Sequence, residues 1–345
     1  VQISDYALLQ SIGKAMNKPG VPTRQFHVVR GGAKGIDAGP LAGAVVAIGN
    51  FDGVHRGHRA VIKAAQTRAR ELGRKAAALT FTPHPRLFLR PQDSLFQLSS
   101  EHDKLRLLAG AGLDGAVVMR FDAALAATAA EDFISEILVG ALGIGAAAIG
   151  FDFHFGKNRT GSPKFLAEVG ARLGFAVDVA PPLEDEGRPV SSGAVRAALA
   201  AGRVVEATEL LGAPWFVSGE VIHGDKRGRE LGFPTANLRL SPSCGLKHGI
   251  YAIRTDIGGQ RHEGVASFGR RPMFDDGAPL LEVFLFDFDG DLYGKTIDVA
   301  FIGWIRHEQK FESIETLKGH MAADVAQARD ALRRAGDAFP VLGEV

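Results

Sequence analysis

The hydrophobic texture changes once along the chain, and that change constrains the fold more than any single motif. Between about residues 26 and 202, short apolar runs alternate with amphipathic ones. The apolar runs fall at 45–48, 76–81, 116–121, 146–153 and 176–179. Between them Val61, Ala64, Ala65, Ala69 and Leu72 recur at helical spacing, and further helices fit near 102–108, 131–142 and 163–173. Strands alternating with helices predict a parallel sheet covered on both faces. Beyond Pro214 the runs become short and evenly spaced, at 216–222, 235–240, 250–255, 263–268, 282–288 and 296–302, with turn signals at Gly258-Gly259 and Asp289-Gly290. That pattern predicts a small antiparallel barrel, followed by a helix over about 313–333 with Ser313 as N-cap. A length of 345 residues suits two domains. We expect an α/β domain over 26–202, a β-barrel domain over 203–345, and a helical extension over 1–25; the boundary falls between Gly187 and Pro214.

Gly49-Asn-Phe-Asp-Gly-Val-His-Arg-Gly-His58 joins the first of these strands to the first helix. Ligands on such sheets bind beyond the carboxyl ends of the strands. This segment lies there, as do Pro83-His84-Pro85 after the second strand and Asp152 at the end of a later one. His58 falls near a helix start, where free N–H groups and the macrodipole favour a phosphate. Gly53 and Gly57 let backbone amides approach phosphate oxygens, and His55 and His58 can donate to them, with no nucleophile required. A bare His-x-Gly-His would fit a strand-to-helix turn with two solvated histidines equally well.

Two lookalikes are set aside. Gly290-Asp-Leu-Tyr-Gly-Lys-Thr296 has three residues between its glycines where a Walker loop has four, and it joins two strands. Gly143-Ile-Gly-Ala-Ala-Ala148 precedes a strand, whereas a dinucleotide fingerprint follows one. His27, His102, His248, His262 and His320 show no ligand spacing.

Composition narrows the setting. A net charge of +1 gives no global field for nucleic acid or an anionic membrane, so phosphate recognition must be local. One cysteine, Cys244, rules out an internal disulfide and suits a reducing compartment. No apolar run reaches the ~20 residues of a membrane helix. The expectation is a cytoplasmic protein without nucleic-acid or membrane partners, for which a weak homo-oligomer is allowed.

Gly49–His58 resembles the phosphate-binding signature of the nucleotidylyltransferase superfamily, in the form with Phe-Asp-Gly-Val that marks its flavin adenylyltransferase branch. Thr80-Phe-Thr-Pro-His-Pro85, Gly150-Phe-Asp-Phe-His-Phe-Gly156 and Val190-Ser-Ser-Gly-Ala-Val-Arg196 follow in the order of the N-terminal module of bifunctional riboflavin kinase/FAD synthetases. The resemblance implies that Gly49, Asn50, Phe51, His55, Gly57 and His58 contact ATP, and that Ser191, Ser192 and Arg196 close over its phosphates. It also implies an FMN site shaped by Pro83, His84, Asp152 and Phe155. A guanidinium at the start of a short helix suits a phosphate on physical grounds too. The chain departs from the family pattern with Gly193 for a threonine, His154 for an arginine and Thr82 for an acidic residue.

The second half carries Gly219-Glu-Val-Ile-His-Gly-Asp-Lys-Arg-Gly-Arg-Glu-Leu-Gly-Phe-Pro-Thr-Ala-Asn-Leu238. Gly224, Gly228 and Gly232 make an amide-rich loop able to wrap phosphates, with Lys226, Arg227 and Arg229 beside it. Thr235 and Asn237, two apart on a strand, would share one face and could stand beside Mg²⁺ and the nucleotide. Glu282 would alternate with Phe284, Phe286 and Phe288 on one strand face. These stretches resemble the flavokinase motifs, as do residues 264–272, where Met273 then replaces a threonine, and Arg306-His-Glu-Gln-Lys-Phe311. By that resemblance His223, Gly224, Gly228, Leu231, Gly232, Thr235 and Asn237 bind ATP, Thr235 and Asn237 also hold Mg²⁺, Glu282 is the general base and a riboflavin contact, and Arg306 and Phe311 lie by the flavin.

The reading is therefore a two-step enzyme using ATP and Mg²⁺, converting riboflavin to FMN in the barrel and FMN to FAD in the α/β domain. The alternatives are an adenylyltransferase for another phosphorylated small molecule, such as nicotinamide mononucleotide or a pantetheine phosphate, and a flavin-binding regulatory protein on the same scaffold.

Overall fold

The structure is a computed structural model that describes residues 25–185, 187–223, 234–270, 279–309 and 311–345. The extension expected over 1–25 lies outside the described residues except for its last position. Two compact units emerge, one from the described residues up to Leu95 with Ser99–Ser191 and Val341–Val345, the other from Phe96–Leu98 and Ser192–Pro340.

In the first unit, β1 (His27–Gly31), β2 (Val45–Ile48), β3 (Ala76–Thr82), β4 (Gly115–Arg120), β5 (Ala146–Gly150) and β6 (Ala176–Ala180) form one sheet in the order β1-β4-β3-β2-β5-β6. Every pairing in it is parallel. Val45, Val46, Ala47 and Ile48 are all buried, as a strand covered on both faces requires. Helices α1 (Arg56–Leu72), α2 (Pro85–Leu89), α3 (Glu101–Gly110), α4 (Ala123–Ala127), α5 (Ala130–Asp132) and α6 (Pro163–Leu173) connect the strands. Side chains of His55, Ser100 and Ser162 cap α1, α3 and α6, and left-handed Gly73 and Gly174 end α1 and α6. Two short strands, β7 (Glu184–Asp185) and β8 (Arg188–Pro189), form a hairpin after β6.

The sheet departs from the sequence expectation in three places. β1, whose residues are mostly half-buried at the sheet edge, carries too weak an alternation to be read. The helix expected near 131–142 is the short α5 running into a π-helical segment, Phe133–Ala141, a distinction periodicity does not make. β5 stops at Gly150, because Phe153 N–H turns back onto the Gly150 carbonyl at 3.1 Å, so Asp152 stands in a turn beyond the strand.

The second unit opens with α7 (Ser192–Ala200) and α8 (Val204–Leu211). Six antiparallel strands follow: β9 (Phe216–Glu220), β10 (Ala236–Arg239), β11 (Gly249–Ile257), β12 (Gln260–Arg270), β13 (Pro279–Leu285) and β14 (Thr296–Arg306), in the order β10-β13-β12-β11-β14-β9. An isolated bridge from Ile222 to Asn237, with Ile222 N–H donating to the Asn237 carbonyl at 2.9 Å, ties the chain after β9 to β10. The sheet is thereby almost closed into a barrel, which removes exposed edges. Helix α9 (Ile314–Arg334), capped by Ser313, packs on β11, β12 and β14 and buries Asp324, Ala328 and Leu332 at i, i+4 and i+8. One expectation is corrected here: β13 ends at Leu285, and Asp287 takes a left-handed φ of 53°. Of the three phenylalanines, only Phe284 therefore shares a strand face with Glu282.

Candidate active sites

The chain passes from β2 through β3 to β4 on one side of the first sheet and returns to β5 and β6 on the other, so its switch point lies between β2 and β5. The loop from Gly49 leaves the carboxyl end of β2 at that point, where open α/β sheets take their ligands. His55 is the N-cap of α1, its Nδ1 accepting from the His58 N–H at 3.3 Å. The two imidazoles stack with centroids 3.7 Å apart, and Phe51 packs its edge on His58 at 5.2 Å. Phe51, fully buried, and Val54 adopt φ of 49° and 45°, while Gly53 takes 80°. Close packing explains Gly57, since a Cβ there would meet the His55 ring at 3.1 Å and the Val190 carbonyl at 3.3 Å. The segment that leads into Ser191 thus lies against this loop.

Burial holds the His58 imidazole well below its ordinary value of 6.5, and the charges of His55 and Lys104 push it the same way. Its Nδ1 is buried with no hydrogen-bond partner. A helix start that presents a buried ring nitrogen without a partner is equipped to take an anion.

Other expected residues of this site have local partners of their own. His84 caps α2, its Nδ1 accepting from Arg86 N–H at 3.2 Å. Pro83 precedes it, and Asp152 is exposed, with its carbonyl 2.9 Å from His154 Nδ1. Phe155 belongs to the first unit's core, stacked on Phe153. Ser192 and Arg196 belong to the second unit; Arg196 sits in the middle of α7 and not at its start, with Nε donating to the Phe96 carbonyl at 2.5 Å.

In the second unit Asn237 and Glu282 are directly opposed across β10 and β13, and Ser267 opposes Glu282 on the other side across β12. Opposed residues project to one face, so an amide, a carboxylate and a hydroxyl form a row. Asn237 is buried and its Oδ1 has no hydrogen-bond partner. Thr235 is half-buried and lies one residue before β10. Ser267 Oγ also reaches Glu308 Oε1 at 3.4 Å. His223 is exposed, its ring 3.9 Å from that of Tyr293. Gly224, Gly228, Leu231, Gly232, Lys226, Arg227, Arg229 and Met273 lie outside the described residues.

Arg306 has an occupation that the motif did not reveal. Its Nε and Nη2 donate to the two carboxylate oxygens of Asp324 on α9, each at 2.7 Å, and its guanidinium lies 5.6 Å from the Phe311 ring centroid. Asp324 was missed in the sequence, although a carboxylate in the stripe Asp324, Ala328, Leu332 is itself a signal that a buried cation awaits it. Lys104, buried in the apolar face of α3, was missed for the same reason.

A helix start with an unpartnered buried imidazole nitrogen at a sheet switch point, together with a separate near-closed barrel carrying its own carboxylate and amide, is the build of a two-module transferase acting on phosphate compounds. The sequence model of the FAD synthetase family matches residues 39–194, and that of the riboflavin kinase family matches residues 211–332. The bifunctional riboflavin kinase/FMN adenylyltransferase of Pseudomonas fluorescens is 42% identical over 288 residues, covering 83% of this chain and 92% of its own. The chain belongs to the bifunctional riboflavin kinase/FMN adenylyltransferase family. Its relative of that name in Escherichia coli strain K12 is 39% identical over 87% of this chain and 96% of its own. A solved structure described as a macrolide-efflux protein from Streptococcus pneumoniae is 31% identical, with a TM-score of 0.79, over 88% of this chain and 99% of that one. Among the described residues no helix is long and apolar enough to cross a membrane.

Proposed function

We infer that the chain is a bifunctional enzyme of FAD synthesis. The barrel unit transfers the γ-phosphoryl of ATP to riboflavin, giving FMN and ADP; the α/β unit transfers AMP from a second ATP to FMN, giving FAD and pyrophosphate. The observation that carries the reading is the pair Asn237 and Glu282, a buried amide oxygen without a partner directly opposite a half-buried carboxylate.

In the kinase step Glu282 accepts the proton of the riboflavin 5′-hydroxyl as its oxygen attacks phosphorus in line with the departing ADP. Mg²⁺ takes few protein oxygens and completes its shell with phosphates and water, and the unpartnered Asn237 Oδ1 fits that demand. Asn237 and Thr235 would hold it, and when bound it supplies neutralisation of the triphosphate charge. In the adenylyl step the FMN phosphate is already an anionic nucleophile, so the work is positioning. His55, His58 and the α1 amides receive the phosphates of ATP. Arg196, Ser191 and Ser192 complete that site, and Pro83, His84, Asp152 and Phe155 border the flavin end. Arg306 and Phe311 border the flavin of the kinase site. A cytoplasmic setting fits the single Cys244.

Incubation with riboflavin, ATP and Mg²⁺, followed by separation of the flavins, tests the reading. Successive appearance of FMN and FAD is expected, and a reaction that yields neither sinks it.

A further inference from the structure

The loop that carries His55 and His58 is strained. Val54, a β-branched residue, and Phe51 both hold left-handed backbone conformations, which are outliers for such side chains. Residues of this kind persist only where their surroundings over-determine them, and they gather at functional sites. Two contacts pin the middle of the loop: Gly53 N–H donates to Ser99 Oγ at 3.1 Å, and Ser99 N–H donates to Asp52 Oδ1 at 3.2 Å. The start of the loop is held from below by Lys104. Its Nζ donates to the Asn50 carbonyl at 3.3 Å and to Thr80 Oγ1 at 3.2 Å, with the Phe81 carbonyl at 3.5 Å. Thr80 Oγ1 in turn donates to the same Asn50 carbonyl at 3.2 Å.

Lys104 is only 8% exposed and stands among Leu105, Leu107 and Leu108 of α3, where a leucine or methionine would be the simpler choice for stability. Burial pushes its ammonium below the ordinary lysine value, and the charges of Asp52 and Glu101 oppose that. Glu101 is itself paired with Arg30 on β1. From α1, His58 feels this charge together with that of His55 at the N-cap, and Lys104 helps keep His58 neutral. A buried cation has thus been placed under a strained anion-binding loop and bonded to the Asn50 carbonyl near its start.

We propose that Lys104 is a positioning residue of the adenylyl-transfer site, fixing the Asn50 carbonyl at the root of the strained loop so that His55 and His58 meet the nucleotide phosphates in one set geometry. The inference rests on the adenylyltransferase reading given above. Lys104 touches no substrate; it acts through Asn50 and, electrostatically, through His58.

The test compares the wild-type chain with Lys104→Met and Lys104→Arg, following FAD formation from FMN across pH together with riboflavin phosphorylation. Lys104→Met is expected to lower kcat for adenylyl transfer by about 10- to 100-fold, the scale of a misplacement near one ångström. Its acid limb should move upward toward the ordinary imidazole range, while kinase activity is retained. Lys104→Arg, which keeps the charge but not the fit, should lose rate and keep the wild-type limb. Lys104→Met with unchanged adenylyl kcat and acid limb overturns the inference, as does loss of both activities together, which would make Lys104 a general prop. If the wild-type chain itself forms no FAD from FMN, the adenylyltransferase reading fails first, and that result is distinct from either outcome in the variants.

Discussion

Asn237 and Glu282 stand directly opposite each other on adjacent antiparallel strands, and the amide oxygen of Asn237 has no partner. In the kinase reaction proposed above, the two act on one substrate complex, Asn237 toward its phosphates and Glu282 toward its nucleophile. Replacing Glu282 by Gln keeps the shape and removes the base, so riboflavin phosphorylation should fall by roughly 10²- to 10⁴-fold. FAD formation from supplied FMN should persist. Replacing His58 by Ala should do the reverse, leaving FMN to accumulate without FAD. Chromatography of the flavins reads both; a folded variant of either kind that lost both activities would overturn the two-site assignment.

The bidentate pair between Arg306 and Asp324 makes a second prediction. Asp324 is 4% exposed, so Asp324→Leu leaves the partly buried Arg306 without its counter-charge and should destabilise the barrel unit by ~3–5 kcal/mol. The double variant Arg306→Met, Asp324→Leu removes both charges and should regain much of that stability. If Arg306 borders the flavin, the double variant should still bind riboflavin weakly. Urea unfolding and riboflavin titration separate the two effects; recovery of stability and flavin binding together would confine Arg306 to a structural role.

The architecture was legible because its signals are local. Val45–Ile48 is apolar on both faces, α6 runs between Pro163 at its start and Gly174 at its end, and Ser313 caps α9 as expected. What was not legible depends on contacts distant in sequence. Lys104 reaches Asn50 and Arg306 reaches Asp324 only after the sheets form, and neither Lys104 nor Asp324 belongs to a spacing motif. The end of β13 was misread because Phe286 and Phe288 continue an alternation that the left-handed Asp287 breaks. Phe155, expected at a flavin, also satisfies the apolar pattern of a core residue, which is where it is buried.

Gly57 ties the packing of the loop to the position of His55. It lies in the first turn of α1 with no left-handed φ, so alanine suits the backbone and should gain ~0.5–1 kcal/mol of helix preference. The new Cβ would press on the His55 ring at 3.1 Å and on the Val190 carbonyl at 3.3 Å. Overpacking of ~1–3 kcal/mol outweighs that gain, so Gly57→Ala should melt somewhat below the wild-type temperature, and the displaced His55 ring should raise KM for ATP in adenylyl transfer about tenfold. Kinase parameters should not move. An unchanged KM for ATP would mean that the His55 ring yields freely and that its position does not matter to the nucleotide.

His58 gives the first unit a pH dependence whose sign follows from its surroundings. Burial, and then the charges of His55 and Lys104, hold its folded-state value well below the 6.5 of an exposed imidazole. As pH falls below about 6.5 the unfolded chain takes up a proton that the folded chain refuses. The stability contributed by neutral His58 is thus complete above that value and is lost progressively as pH falls through the folded one. Hydrogen exchange in β2 and α1, measured from pH 7.5 down to 5, should show the opening free energy of wild type declining more steeply than that of His58→Gln, which has no proton to gain. The triphosphate of ATP would oppose the decline, because an anion at the α1 start favours the imidazolium. Saturating ATP should flatten the wild-type slope and leave that of His58→Gln unchanged; equal slopes in the two proteins without ATP would show that His58 titrates alike in the folded and unfolded chains.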